Sequence, residues 1–377
     1  MDHDAVADKV HSLSNLELAA LLCLVAEQHC IVEADPSQLD AVAQELQVIT
    51  TNVFGLSSAV LDCSDKTTVD HFGNDLLVDD NGDDSSYFSH VPPHSRLVSL
   101  LPQTLLLLPP PPALSERPFS PLESTKSIAN IVIAKNLNQS RSQVHIQALE
   151  LIRNKRIYTR NAVHAAPKRF VFVALLTPDS TDQLDVHLRD QIFISHYHQP
   201  EDGLPNLEDA GYVDDDAASL ASVVRPSTPL LWPRRKPTRA LSYLMCAALI
   251  CRQEISSLTK RIPHIRFSSE VRAYLQNIVV FMRLHRAVAG GVSPQATRHF
   301  ELLVRALAPL HGLDFVTPSL VALAARKIYP HRIVLTTPEN ERSLQWGSDI
   351  EAVRQMLDGV VVEDVIDDVL AQVEVPL

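Results

Sequence analysis

The residues that could do chemistry in this 377-residue chain stand where apolar runs stop. Ile131, Val132, Ile133 and Ala134 lead into Lys135 and Asn136, and the run Phe170 to Leu176 leads into Thr177 and Pro178. The whole stretch 128–178 reads as strand, loop, helix, turn, strand, the central layout of a nucleotide-hydrolysing α/β core. Such cores bind ligands at the carboxyl ends of their strands. Hydrolysis there needs an Asp for the magnesium shell, a Glu to polarise water and a Gly-rich loop with a lysine around the phosphates. Lys135 and Asn136 supply neither carboxylate. None of the ten glycines precedes a lysine. The loop Phe54-Gly55-Leu56-Ser57-Ser58 offers one glycine and two hydroxyls, far short of a phosphate cradle.

Other constellations have plainer readings. His196 and His198 share one side of a strand, with Glu201 and Asp202 behind them, which is the geometry a metal site would use. With no further ligand readable, they are expected to be a surface histidine pair at a strand end, and no metal site is expected. The acidic residues Asp75, Asp79, Asp80, Asp83 and Asp84 lack the alternation and closing Glu of a calcium loop and read as a solvated loop. No G-x-S-x-G elbow supports serine hydrolysis. Arg234, Arg235 and Lys236, near Trp232, read as a solvated linker.

The elements that must position the strand ends follow from periodicity and caps. A helix is expected over 13–28 with Asn15 as its cap, and another from Asp35-Pro36-Ser37 to Thr50. Ala59 to Cys63 is a strand. Residues 109–127, PPPPALSERPFSPLESTKS, form a Pro/Ser linker. Leu188 to His198 gives a turn and a strand. From Thr238 the pattern is helical: Ala240 to Glu254, Ser268 to Val288 capped by a serine, Pro294 to His311, Ser319 to Ile328 opened by Thr317-Pro318, Gly347 to Leu357 and Val362 to Val373.

Bulk numbers bound the class. Hydrophobic residues at 46% and charged residues at 21% are ordinary globular values. A net charge of −12 argues against a partner held by phosphate contacts, so no nucleic acid is expected. The five cysteines form no CxxC pair, and Cys246 and Cys251 fall in an apolar helical pattern that suits buried free thiols; the compartment reads as reducing. The apolar run Leu97 to Leu108 is too short to span a bilayer, and the acidic start MDHDAVADKV lacks the positive charge of a signal peptide. A cytoplasmic or nuclear protein without a membrane span is expected.

The C-terminal half carries a specific likeness. Val271, Tyr274, Ile278 and Val279 in one helix, Gly291, Ser293 and Pro294 in a turn, Gly312 with Phe315-Val316-Thr317-Pro318, and the ending His331-Arg332 stand in a fixed order. This resembles the lid bundle of the MoxR and magnesium-chelatase I-subunit branch of AAA+ ATPases. In that frame Ile131 to Ala134, Leu137, Asn138, Val144, Leu149, Glu150, Phe170, Val173, Ala174 and Pro178 match the Walker B strand, helix and sensor-1 strand. The likeness implies an AAA+-like three-layer α/β core with a mostly parallel sheet over 1–200, interrupted at 109–127. A flexible connector over 201–239 and an all-α lid over 240–377 complete the expected domains.

The likeness also gives roles to the substituted positions. Lys135 and Asn136 stand for the Walker B Asp and Glu, Thr177 for the sensor-1 Asn, Gln191 for an arginine acting across a subunit interface, and Gln295 for the sensor-2 arginine. Asp190 keeps its aspartate. Losing metal, base and charge-stabilising groups removes several kcal/mol of barrier lowering at each. The expectation is a non-hydrolysing assembly or scaffold subunit, with no cofactor, working with a protein partner or paralogous AAA+ subunit or as a homo-oligomer. The alternative is an active ATPase of the same branch, using ATP and Mg²⁺ to remodel a partner.

Overall fold

A computed structural model describes residues 8–79, 126–159, 162–178, 184–208 and 248–376. The Pro/Ser linker up to residue 125, the run Leu97 to Leu108 and the Arg/Lys-rich 225–239 lie outside the described residues, as does Cys246.

The chain opens with α1 (Asn15–Ala26), capped by Ser14 rather than Asn15; the Ser14 hydroxyl and Glu17 carboxylate close a reciprocal capping box. This helix is apolar on nearly every side and is accordingly buried all round. Next come β1 (Cys30–Glu33), α2 (Leu39–Val48) with a π turn over Ile49–Val53, β2 (Ser58–Asp62), α3 (Val69–Asp75) and β3 (Leu77–Asp79). β4 (Lys126–Ile128) takes up the end of the expected linker and pairs with β3. β5 (Ile131–Lys135), α4 (Ser142–Asn154), a hairpin of β6 (Arg156–Tyr158) and β7 (Val163–Ala165), and β8 (Val171–Leu176) follow. The hairpin replaces what reads in the sequence as a simple turn. α5 (Val186–Gln191) and β9 (Ile194–Tyr197) end this part.

Five strands form one parallel sheet in the order β2-β5-β8-β1-β9. β8 is buried along its whole length, as a central parallel strand covered on both faces must be. Alternation divides the core in two. Cys30, Val32, Ile131, Ile133, Val173 and Ile194 face α1 and α2, whereas Ile31, Leu61, Val132, Ala134, Phe172 and Ala174 face the α4 and α5 side. The architecture is therefore three-layered.

The remaining helices are α6 (Arg252–Arg261), α7 (Ser269–Leu284), α8 (Pro294–Leu310), α9 (Pro318–Ile328), α10 (Ile350–Leu357) and α11 (Val362–Gln372), with the short pair β10 (Val288–Gly290) and β11 (Val334–Leu335). Ser268, Ser293 and Thr317 accept first-turn amides as N-caps, the latter two followed by proline at the first helical position. Ala248 to Cys251 is not helical, and Cys251 at the cap of α6 is exposed rather than buried. The first apolar cluster runs without a break from the sheet through α1 into α6–α9 and α11, so core and lid share one interior. The start of the expected connector is anchored as well. Buried Glu45 of α2 accepts from the backbone N–H groups of Asn206 and Leu207 at 3.0 and 2.7 Å.

Candidate functional site

Strand order locates the crevice. β1 is followed by a crossover to β2 at the far edge, and β8 by a crossover to β9 on the other side, so connections diverge around the carboxyl end of β1. The strand–loop–helix at that switch point is β1, Ala34 to Gln38 and α2. The Phe54–Ser58 loop instead leads into the edge strand β2 and is not the place for a phosphate cradle. The loop at the switch point has no glycine, and Pro36 has no N–H to offer an anion. The Ala34 amide is used by the Leu176 carbonyl at 3.1 Å. Asp35 accepts from the Tyr197 hydroxyl at 3.2 Å.

The N-terminus of α2, where a phosphate would be drawn to free amides and the helix dipole, already has an anion. Asp40 stands in its first turn, and Lys135 at the end of β5 donates from Nζ to Asp40 Oδ1 at 2.5 Å. Asp62, at the end of β2, lies 3.5 Å from the same ammonium. The Lys135 side chain is 13% exposed while Asp40 is 80% exposed. The hydrogen bond to Asp40 holds the Lys135 pKa above its ordinary value. Asn136 takes a left-handed conformation with φ of 51° and donates its N–H to the Leu175 carbonyl at 2.9 Å, a conformation Asn tolerates. Thr177 follows β8 beside it. Lys135, Asn136 and Thr177 thus share the carboxyl edge of the sheet.

Gln191 and Gln295 do not join them. Both line a cleft of about 550 Å³ with Gln28, His29 and Lys155. Gln28 and His29 immediately precede β1, so this cleft opens at the amino edge. Strands of this length separate the two edges by roughly 13–20 Å. Within one chain, Gln191 and Gln295 cannot act on a group held at Lys135.

Beside that cleft, core and lid are joined by a buried network. Arg332 follows α9, and its side chain is 1% exposed. Its Nη1 donates to Asp190 Oδ1 at 3.0 Å, its Nη2 to His299 Nδ1 at 2.7 Å, and Nη2 also bonds the Ile192 carbonyl. The Ser293 hydroxyl donates to the same Asp190 oxygen at 2.6 Å, and the Gln295 amide sits 2.7 Å from His299 Nε2. Burial lowers the Arg332 pKa to about 10 against the pull of Asp190. His299 falls to about 3 and His331 well below its ordinary value, chiefly because burial disfavours the imidazolium and secondly because Arg332 is adjacent. Asp190 serves this contact, accepting from both Arg332 and Ser293.

His196 and His198 are not on the surface: they are 6% and 2% exposed. Burial, with Lys327 and His198 as neighbours, pushes His196 down to about 4. Sequence reasoning missed Asp40, Asp62 and Arg332 as partners. Asp35-Pro36-Ser37 was legible as a helix start, but without glycine or lysine nothing marked it as the switch-point loop.

Among the described residues, no helix is long and apolar enough to cross a membrane. Comparison with known proteins agrees with this architecture. Residues 280–354 match the model of the AAA lid domain. The chain is 28% identical over 113 residues to Maintenance of telomere capping protein 2 of Lachancea thermotolerans, covering 29% of this chain and 40% of that protein. It is 37% identical over 95 residues to the protein of that name in Saccharomyces cerevisiae YJM789, covering 24% and 27%. A Bacillus subtilis protein called YeaC matches at 25% over 129 residues, 34% of this chain and 35% of that one. The matched segments thus span well under half of each curated relative. Among solved structures, a Cytophaga hutchinsonii protein described provisionally as an ATPase superposes with a TM-score of 0.61 at 12% identity, over 99% of this chain and 94% of that one. Parallel sheet, switch-point crevice and helical C-terminal region together make this an AAA+ fold, with an AAA lid domain in its C-terminal part.

Proposed function

We propose that this chain is a non-hydrolysing AAA+ protein of the MoxR and magnesium-chelatase I-subunit type, acting as an assembly or scaffold subunit. The observation that carries the reading is the Lys135–Asp40 pair. A nucleotide enzyme of this layout presents a cation at the helix N-terminus and an anion at the strand end. Here the signs are exchanged, and the two side chains neutralise each other. A triphosphate approaching α2 meets Asp35 and Asp40, and a magnesium ion approaching β5 meets an ammonium. The triphosphate is repelled by these carboxylates, and the Lys135 ammonium already occupies the carboxylates of Asp40 and Asp62 that a magnesium ion would need.

Kinetic arithmetic points the same way. Removing one preorganised charge stabiliser costs about 10²–10³ in rate, and an arginine acting in trans is worth about 10³–10⁵. Gln191 and Gln295 carry no charge, and their amino-edge cleft lies on the far side of the sheet. They would meet another chain's carboxyl edge only in a ring or stack of subunits, and they would bring no cation to it. What the chain retains is shape: a core fixed to its lid, with ends free to pack on a paralogous AAA+ subunit, a second copy or another protein partner. No cofactor is needed for that role. The telomere-capping name of the yeast relatives makes chromosome-end maintenance proteins the first partners to look for in an affinity purification.

The test is turnover and binding on the purified chain. Mg²⁺-dependent phosphate release near 1 s⁻¹, an ordinary enzyme rate, would overturn the reading. A nucleotide present at a hundred times its dissociation constant adds about 2.7 kcal/mol to stability. The scaffold reading expects no shift in melting temperature at millimolar ATP.

A further inference from the structure

The carboxyl end of β9 and the turn after it hold a cluster that the nucleotide argument does not use. His196 lies on β9 and His198 one residue past its end, two positions apart on extended backbone, so their rings turn to one face. His196 Nε2 and His198 Nδ1 are both buried, and neither has a hydrogen-bond partner. An unpaired buried polar atom is costly, so two side by side destabilise the chain unless something completes them. Asp202 supplies the third group. One potential ligand atom from each of His196, His198 and Asp202 lies within 4.8 Å of the other two.

The carboxylate is exposed and oriented from behind. Asn15 Nδ2 donates to its Oδ1 at 3.0 Å, and the Gln199 N–H donates to its Oδ2 at 3.3 Å. Such outer donors aim a metal-binding carboxylate. The backbone supports the histidines too: the His198 N–H donates to the Glu33 carbonyl at 2.8 Å, which fixes the strand end on β1.

We propose that His196, His198 and Asp202 bind a divalent transition-metal ion, with zinc as the first probe and water in the position open to solvent. Two imidazoles and one carboxylate suit zinc or iron(II), whereas calcium and magnesium call for oxygen ligands alone. Bonds of about 2.0–2.2 Å put tetrahedral ligand atoms roughly 3.4 Å apart, so binding draws the cluster together by up to about 1.4 Å. The ion enters past the exposed Asp202 and ties the Pro200–Asp202 turn to β9, and through Asn15 to α1. Lys327 of α9 lies near enough to act on both His196 and Asp202, and its ammonium weakens binding without being a ligand. The site is distinct from the Lys135 cluster, three strand spacings or roughly 14 Å across the sheet.

The experiment uses the full chain, stripped with chelator and desalted. Zinc is titrated in competition with a chromophoric chelator, and cobalt(II) is titrated separately while its visible d–d bands are recorded. One equivalent of zinc is expected, together with cobalt bands characteristic of nitrogen and oxygen ligands. Asp202→Asn, at an exposed position, is expected to weaken zinc binding by about tenfold or more, and His196→Gln to remove the cobalt bands. Metal-free melting curves of the variants that match the parent chain separate lost ligation from lost folding. The proposal is overturned if the parent chain binds less than half an equivalent of zinc. It is overturned equally if cobalt gives thiolate bands from Cys251, or if both variants bind as the parent does, the ion then residing elsewhere among the sixteen histidines.

Discussion

Two charged clusters sit at opposite edges of the same sheet, and their surroundings differ. At the carboxyl edge Lys135 pairs with Asp40 and Asp62, whose side chains are 80% and 69% exposed. At the amino edge Arg332, almost without exposure, is held by Asp190, His299 and the Ile192 carbonyl. Solvent screens the first cluster, whose pairing is worth at most about 1 kcal/mol. Breaking a buried pair such as the second costs about 3–5 kcal/mol, because a charge is stranded. The difference separates side chains on which the fold depends from side chains it could do without. Residues that join core to lid are tightly bound up with folding, whereas the strand-end positions form a surface pair that the fold could lose.

The sharpest way to break this comparison is Asp190→Ala. It should destabilise the chain by about 3 kcal/mol, the low end of the buried-pair range because Asp190 itself is 31% exposed. A loss below 1 kcal/mol in urea unfolding would mean that Arg332 finds another partner and that the two edges are alike. Gly291→Ala strikes the same junction through the backbone. Its φ is +103°, and an added Cβ would lie 2.0 Å from the Arg332 carbonyl oxygen. The expected cost is about 2–3 kcal/mol, with Gly291→Ser no better.

Acidification sharpens the contrast further. The folded-state pKa of His299 is lowered from 6.5 to about 3, so its contribution is complete above pH 6.5 and drains away as pH falls toward 3. At pH 5 that is about 2 kcal/mol for one such group. His331 is shifted in the same direction. Lys135 is raised instead, so its contribution is complete below pH 10.5 and fades only as pH climbs through the folded value. Urea curves at pH 7 and pH 5 should therefore differ, and His299→Gln should shrink the difference, while Lys135→Met leaves it intact. The smallest effect is Lys135→Met itself at pH 7, within about 1 kcal/mol of the parent. A larger loss would mark the carboxyl edge as a structural element in its own right.

Much of the fold was legible locally. Caps such as Ser268 and Thr317-Pro318 set helix starts because the groups they satisfy lie within a few residues. The runs IVIA and VFVALL named buried parallel strands. Less was legible at the site. Gln191 and Gln295 take their meaning from which edge of the sheet they reach, and strand order is not written in local periodicity. The His196–His198 pair has the same spacing whether solvated or buried; α1 and α9, far away in sequence, decide which. The β6–β7 hairpin was missed because strands of three residues carry too little pattern to separate from a turn.

What the sequence determined by itself is chemical identity: no carboxylate directly follows Ile131–Ala134, no lysine follows a glycine, and Gln191 and Gln295 carry no charge. Those absences hold in any conformation. What only the tertiary structure decided is compensation. The partner that neutralises Lys135 is Asp40, 95 positions away, and the partner of Arg332 lies across the core–lid boundary. Charges pair by distance in space, and the sheet order sets that distance.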